Sequence, residues 1–212
     1  MNELGNRPDD KQIGMSARQS IVLLLLLFLA PLLIAWLMLY GGSGLIPEGS
    51  TSNGTLVEPP RLIDLPGNIR TRTGVVLPAE YIKGKWTLVY IGDAECDEAC
   101  LQNIYKMRQV RLAQNENVRR VQRLFLLTGS EITAGLGKAL ENYPNMEVAL
   151  LSAEQSAAIA SQFQVDEAAA PGAERVYLVD PLGYLMMYYA PDAEPKGMLN
   201  DLKKLLKYSR FG

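Results

Sequence analysis

The stretch from Ile21 to Tyr40, IVLLLLLFLAPLLIAWLMLY, restricts the fold of this chain more than any other, because it carries no charge along its whole length. A run of about 20 apolar residues crosses a bilayer as a helix rising about 1.5 Å per residue. A cleavable signal peptide is the competing reading, but its apolar core is about 7–15 residues long and ends at a small-residue cleavage site. This run is longer and closes with Trp36 and Tyr40, residue types that favour the lipid interface. Pro31 is tolerated in a membrane helix. The expectation is a single transmembrane helix over 21–40.

Basic residues orient it. Arg7, Lys11 and Arg18 precede the run, and the next cation after it is Arg61, so residues 1–20 form a cytoplasmic tail by the positive-inside rule. The rest then faces the periplasm or another extracytoplasmic space, with the chain held as a single-pass protein of the inner membrane. Residues 41–60, GGSGLIPEGSTSNGTLVEPP, have little to bury and read as a flexible tether. Residues 61–212 have the usual size of one folded domain.

Composition removes several functions. Lys+Arg 21 against Asp+Glu 23 leaves the chain near neutral, without the basic footprint of a nucleic-acid binder. With no histidine in its 212 residues, the chain lacks the commonest general base and the commonest zinc or copper ligand. Phosphate-cradling glycine loops and nucleophile elbows are also missing.

Beyond Arg61, strand-length apolar runs alternate with helix-length amphipathic ones. Strands are expected at Trp86 to Ile91, Val121 to Leu127, Val148 to Leu151 and Arg175 to Val179, and helices at Cys96 to Gln114, Ile132 to Tyr143 and Ala153 to Phe163. Asp180-Pro181-Leu182-Gly183 has Pro and Gly where a turn wants them, so Val176 to Val179 and Tyr184 to Tyr189 pair as a hairpin. Pro195 to Lys207 closes the chain as an amphipathic helix. This order predicts an α/β fold, a central mixed sheet flanked by helices, parallel at first and antiparallel at the hairpin.

Cys96 and Cys100, the two cysteines of the chain, follow the first strand. The loop that holds them emerges at the strand carboxyl end, where α/β sheets place their sites. Two thiols one helical turn apart can form a disulfide, exchange electrons or hold copper(I), which soft thiolates select. Zinc wants four ligands and finds two. Met186, Met187 and Met198 could add thioethers, although methionines so placed usually fill cores. Near the first turn of the helix the dipole favours a Cys96 thiolate. Asp93, Glu95, Asp97 and Glu98 oppose it and, if they surround the sulfur, raise the thiol pKa. That combination points to a reductant or a quiet disulfide rather than a strong oxidant. A purely structural bridge is the plainer alternative, but so short a loop gains well under the roughly 3 kcal/mol of a 15-residue one. Arg119, Arg120 and Arg123, near Arg108 and Arg111, read as a solvated face, and Asp166-Glu167 as loop acids without a visible partner.

Gly84 to Gly92 with Cys96 and Cys100, together with Val176 to Gly183 and Asp201-Leu202, resemble the SCO/SenC family. The resemblance implies a thioredoxin-like fold and a role in cytochrome c oxidase assembly, through thiol-disulfide or copper(I) handling by Cys96 and Cys100. In that reading Cys96 is the attacking thiol and Cys100 the resolving one, and the partner is an oxidase subunit or another assembly factor. The alternative is a non-catalytic interaction module that keeps the fold and docks. Two departures stand out. The family's prolines after the two cysteines are Asp97 and Leu101 here, and its copper-binding histidine falls in Ala170 to Glu174, which has none. Pro171 is the nearest candidate for the cis-proline that a thioredoxin-like domain sets against its thiols.

Overall fold

The computed structural model describes residues 16–40, 52–167 and 169–209. Most of the expected cytoplasmic tail and the first part of the expected tether lie outside them. The chain divides into two compact units, Met1–Gly49 and Ser50–Gly212.

The first unit contains helix α1 (Ala17–Tyr40), which runs unbroken past Pro31. Its apolar side chains face outward, Phe28 with 73% exposure and Leu27 with 70%. A helix apolar all round and uncovered by protein is matched to lipid. By length and composition it is able to cross a membrane.

The second unit runs through β1 (Thr55–Leu62), β2 (Arg70–Thr71), β3 (Trp86–Gly92), α2 (Glu98–Leu112), β4 (Val121–Thr128), α3 (Ala134–Leu140), β5 (Met146–Leu151), α4 (Ala153–Phe163), β6 (Val176–Val179), β7 (Tyr184–Tyr189) and α5 (Pro195–Tyr208). The seven strands form one sheet in the order β1-β7-β6-β3-β4-β5-β2. β3, β4 and β5 are parallel, whereas β6 runs antiparallel to β3 and β7 antiparallel to β6. This is the expected mixed sheet.

Period-two alternation sends successive residues of each central strand to opposite faces. Leu88 and Tyr90 of β3, Phe125 and Leu127 of β4 and Val148 of β5 pack against α2, α3 and α5 through Ile104, Met107, Leu136 and Leu202. Val89, Ile91, Leu124, Leu126 and Ala149 face the other way, onto Ile159 and Phe163 of α4 and onto Ile63, Ile69 and Ile82 of the segment before β3. Both faces are covered, and so the strands read as continuous apolar runs.

Three expectations change. β1 begins at Thr55, inside the stretch read as tether, and its prolines explain why it looked irregular. β1 is an outer strand whose register shifts between Leu56 and Arg61, and Pro is tolerated at such an edge. The folded unit therefore takes in part of 41–60. The helix expected over 132–143 is only Ala134–Leu140, capped by Thr133. The one expected from Cys96 starts at Glu98, with Asp97 as its N-cap.

Asp201 ties the two ends of the unit together. It is 2% exposed, and its carboxylate accepts hydrogen bonds from Asn53 N (2.8 Å), Gly54 N (2.9 Å) and Asn53 Nδ2 (2.8 Å). A buried carboxylate is tolerated when its oxygens are satisfied in this way.

Candidate functional site

The site forms where β3 hands the chain to α2. β3 ends at Gly92, where a Cβ would meet Tyr90 Cε1 at 2.8 Å, inside the contact limit. Asp93 then folds the loop, its Oδ1 accepting from Glu95 N (3.1 Å) and Cys96 N (3.2 Å). Cys96 sits at φ 37°, in the left-handed region that few non-glycine residues enter. Asp97 Oδ1 accepts from Cys100 N at 3.0 Å and starts the helix. Short polar side chains at an N-cap are favoured because they satisfy one of the free amides of the first turn.

Cys96 and Cys100 are joined in a disulfide, with their Cα atoms 5.1 Å apart. Both are buried, Cys96 at 7% exposure and Cys100 at 3%. The helix geometry expected of them is reversed in one respect: Cys100, not Cys96, lies within the first turn, and Cys96 precedes the cap. The dipole therefore acts most directly at Cys100.

The sulfurs line a shallow cavity of about 200 Å³ shared with Tyr90, Asp93, Glu95, Asp97 and Glu174. No lysine or arginine lines it. Of the four acids expected around the sulfur, three are present, and Glu98 is instead turned toward Gln102 at 3.4 Å. Glu174 and Tyr90 were not foreseen. Glu174 arrives because Asn103, buried in α2, donates to its carbonyl at 2.8 Å. Tyr90 is the strand residue two before Gly92, on the face toward the cysteines. Burial pushes its phenol well above the usual range, and the nearby Glu174, Asp97 and Asp93 push the same way against an opposing hydrogen bond from Asn103. Thr133 braces the loop from the far side, its hydroxyl donating to Ala94 O at 2.9 Å.

Other candidates resolve into structure. Met187 and Met198 are buried in the core and Met186 packs against it, so none of the three lines the cysteine cavity. Glu58-Pro59 carries the cis peptide bond among the described residues, and Pro171 does not fill the role expected of it. Asp166 has a partner after all, a two-pronged pair with Arg175 at 2.9 and 2.6 Å. Where the resemblance calls for a copper-binding histidine, the chain offers Glu174 at φ 50°. Among the described residues no group of three or more histidine, cysteine, aspartate or glutamate side chains is arranged to hold a metal ion. The soft donors at the site are the two sulfurs, held in a bond to each other.

A family model described as transmembrane-like, thioredoxin-like, C-terminal domain matches residues 86–209, more than half of the 212 residues. The chain belongs to this family. No curated protein matches it. Among solved structures, the fold is similar to that of apo Sco from Thermus thermophilus, with a TM-score of 0.57 and 20% identity over 74% of this chain and 99% of that one. The copper-bound ScoI of Bradyrhizobium japonicum gives a TM-score of 0.55 and 19% identity over 67% of this chain and 98% of that one. BsSco, a member of the Sco family of cytochrome c oxidase assembly proteins with an identified disulfide switch, gives 0.55 and 18% over 70% and 96%. The family domain thus has a thioredoxin-like fold, similar to that of the Sco structures, as its strand-and-cysteine segment and hairpin led one to expect.

Proposed function

We propose that this chain is a membrane-anchored thiol-disulfide factor that works in the assembly of a respiratory oxidase. The observation that carries the reading is the closed Cys96–Cys100 pair at the mouth of an acidic cavity, at the carboxyl end of β3. The Sco-like fold and BsSco's description supply the setting. In the same reading α1 spans the inner membrane, residues 1–20 stay in the cytoplasm, and the folded unit works in the periplasm.

Carboxylates around the sulfurs disfavour thiolates. A destabilised reduced form makes the pair a better reductant than a folding oxidase. Reduced, the Cys96 thiolate attacks a partner disulfide, forming a mixed disulfide and releasing one partner thiolate, which takes up a proton. The Cys100 thiolate then attacks Cys96 Sγ, closes the bridge and releases the second partner thiol. Two electrons pass to the partner, and a thiol reductant of the same compartment must reopen the pair. Cys96 is given the attack as the family resemblance implies, and the helix dipole at Cys100 favours the second thiolate, which closes the bridge. The reduced sulfurs also suit copper(I) as cargo, gripped by two thiolates and drawn in by the acidic lining. ScoI of Bradyrhizobium japonicum, a fold relative, is copper-bound.

The test is a strain carrying the Cys96→Ser/Cys100→Ser double variant at normal abundance. Loss of assembled oxidase is expected. Normal assembly overturns the thiol reading and leaves the docking module. Anaerobic titration of the reduced full chain with copper(I) checks the cargo role, and the absence of stoichiometric uptake removes it.

A further inference from the structure

At the amino ends of β3, β4 and β5, away from the cysteines, a second cavity of about 460 Å³ is lined by Arg72, Lys85, Arg111, Arg119, Tyr81 and Gln122. Arg111 donates Nε to Val121 O at 2.7 Å, which fixes its guanidinium over the first residue of β4. Among the described residues, none of the four cations makes an ion pair. Four positive charges around one hollow repel each other, and the chain supplies one carboxylate on its wall, Glu147.

A fifth cation lies behind them. Arg123 of β4, between Leu88 and Met146 in register, is 2% exposed. Its Nη2 donates to Pro144 O at 2.7 Å, but Nε and Nη1 find no hydrogen-bond partner. The charge is felt around the hollow: burial above all, then the nearby Arg111 and Arg108, pulls the Arg123 guanidinium below its usual range, and Arg123 offsets part of the rise that burial gives the Tyr81 phenol. A buried cation with two unanswered donors is costly. Nearby negative charge is what would offset it.

We propose that this cavity binds a phosphate group. Guanidinium forks pair two oxygens at a time, and several forks converging from different elements suit an ion with three or four oxygens better than a carboxylate with two. Glu147 accepts from a hydroxyl beside the charge, either the P–OH of a monoester or the alcohol of a glycerol headgroup. A soluble phosphate compound and an anionic lipid headgroup share that chemistry. The cavity lies at the other end of the strands from the disulfide, so the inference stands whether or not the thiol reading does.

The test uses the full chain in a nonionic detergent, titrated calorimetrically with pyrophosphate, with inorganic phosphate and with succinate. Saturable pyrophosphate binding is expected, at least tenfold tighter than succinate and at least tenfold weaker in the Arg72→Ala/Arg119→Ala variant. The Arg72→Lys/Arg119→Lys variant, which keeps the charge, guards against a folding defect and should lose only part of the affinity. In nanodiscs, competition from phosphatidylglycerol supports the proposal with the headgroup as source, and pyrophosphate binding undiminished by that lipid supports it with a soluble source. No saturable binding, equal binding of succinate, or an unchanged affinity in the alanine variant overturns it.

Discussion

The two ends of the parallel strands carry opposite charge. At the carboxyl ends Asp93, Glu95, Asp97 and Glu174 surround a disulfide, and at the amino ends Arg72, Lys85, Arg111 and Arg119 surround a hollow backed by a buried arginine. A tyrosine stands in each, Tyr90 at the acidic end and Tyr81 at the basic one. Burial is the first cause of a raised phenol pKa in both. The further causes differ in balance: Glu174 and Asp97 add to the rise at Tyr90, whereas at Tyr81 Glu147 adds to it but Arg123 and Arg111 subtract from it, leaving that phenol at about 12. One scaffold thus holds two electrostatic environments apart by the length of its strands, which suits an electron-exchange site at one end and an anion site at the other.

The largest expected effect comes from the basic end. Arg123→Met keeps much of the volume and removes a buried charge with two unanswered donors, so in phosphate-free buffer it should raise unfolding stability by about 1–4 kcal/mol. The same variant should bind pyrophosphate more weakly. A loss of stability in urea unfolding would break the picture of an uncompensated cation.

Alkaline titration compares the two tyrosines directly. A phenol whose folded pKa is raised favours the protonated fold, so the stability it contributes is intact below the unfolded value near 10 and is lost as pH rises through about 12 for Tyr81. At about 1.4 kcal/mol per unit, reduced for partial exposure, that is about 2 kcal/mol from Tyr81. Tyrosinate absorbance in Tyr81→Phe and Tyr90→Phe should show the basic-end phenol ionising first. The reverse order would mean that the acids and arginines do not govern the difference.

The smallest effect is at the acidic end. Glu95→Lys replaces an exposed acid of the cysteine cavity with a cation and should favour the thiolates. The reduction potential should rise by about 30 mV or less, roughly 1.4 kcal/mol for two electrons. Equilibration with a thiol redox buffer measures it, and a fall would contradict the proposed electrostatic control.

Much of this was legible beforehand in the strands. WTLVYI, VQRLFLL and the DPLG hairpin read correctly because both sheet faces are buried, and burial leaves continuous apolar runs. β1 was missed because Pro59 and Pro60 look like chain breakers, and only its edge position excuses them. Arg123 was read as solvated with its neighbours Arg119 and Arg120, yet its spacing from Val121 and Phe125, two residues to either side, already put it on a core face. At the site, the cysteines and three of the acids were legible from proximity in the chain. Glu174 was not, since it reaches the sulfurs through a contact from Asn103 across 71 positions.

The clasp of Asp201 on Asn53 and Gly54 gives the domain a mechanical property. A chain pulled by its leading end would otherwise unzip from the sheet border one hydrogen bond at a time, starting at β1. Tension entering at Asn53 meets instead three bonds to one carboxylate on α5, which must rupture together and which deliver the force to the helical layer. Any pull that reaches Asn53 is therefore spread into the packed face of the domain before the border strand feels it.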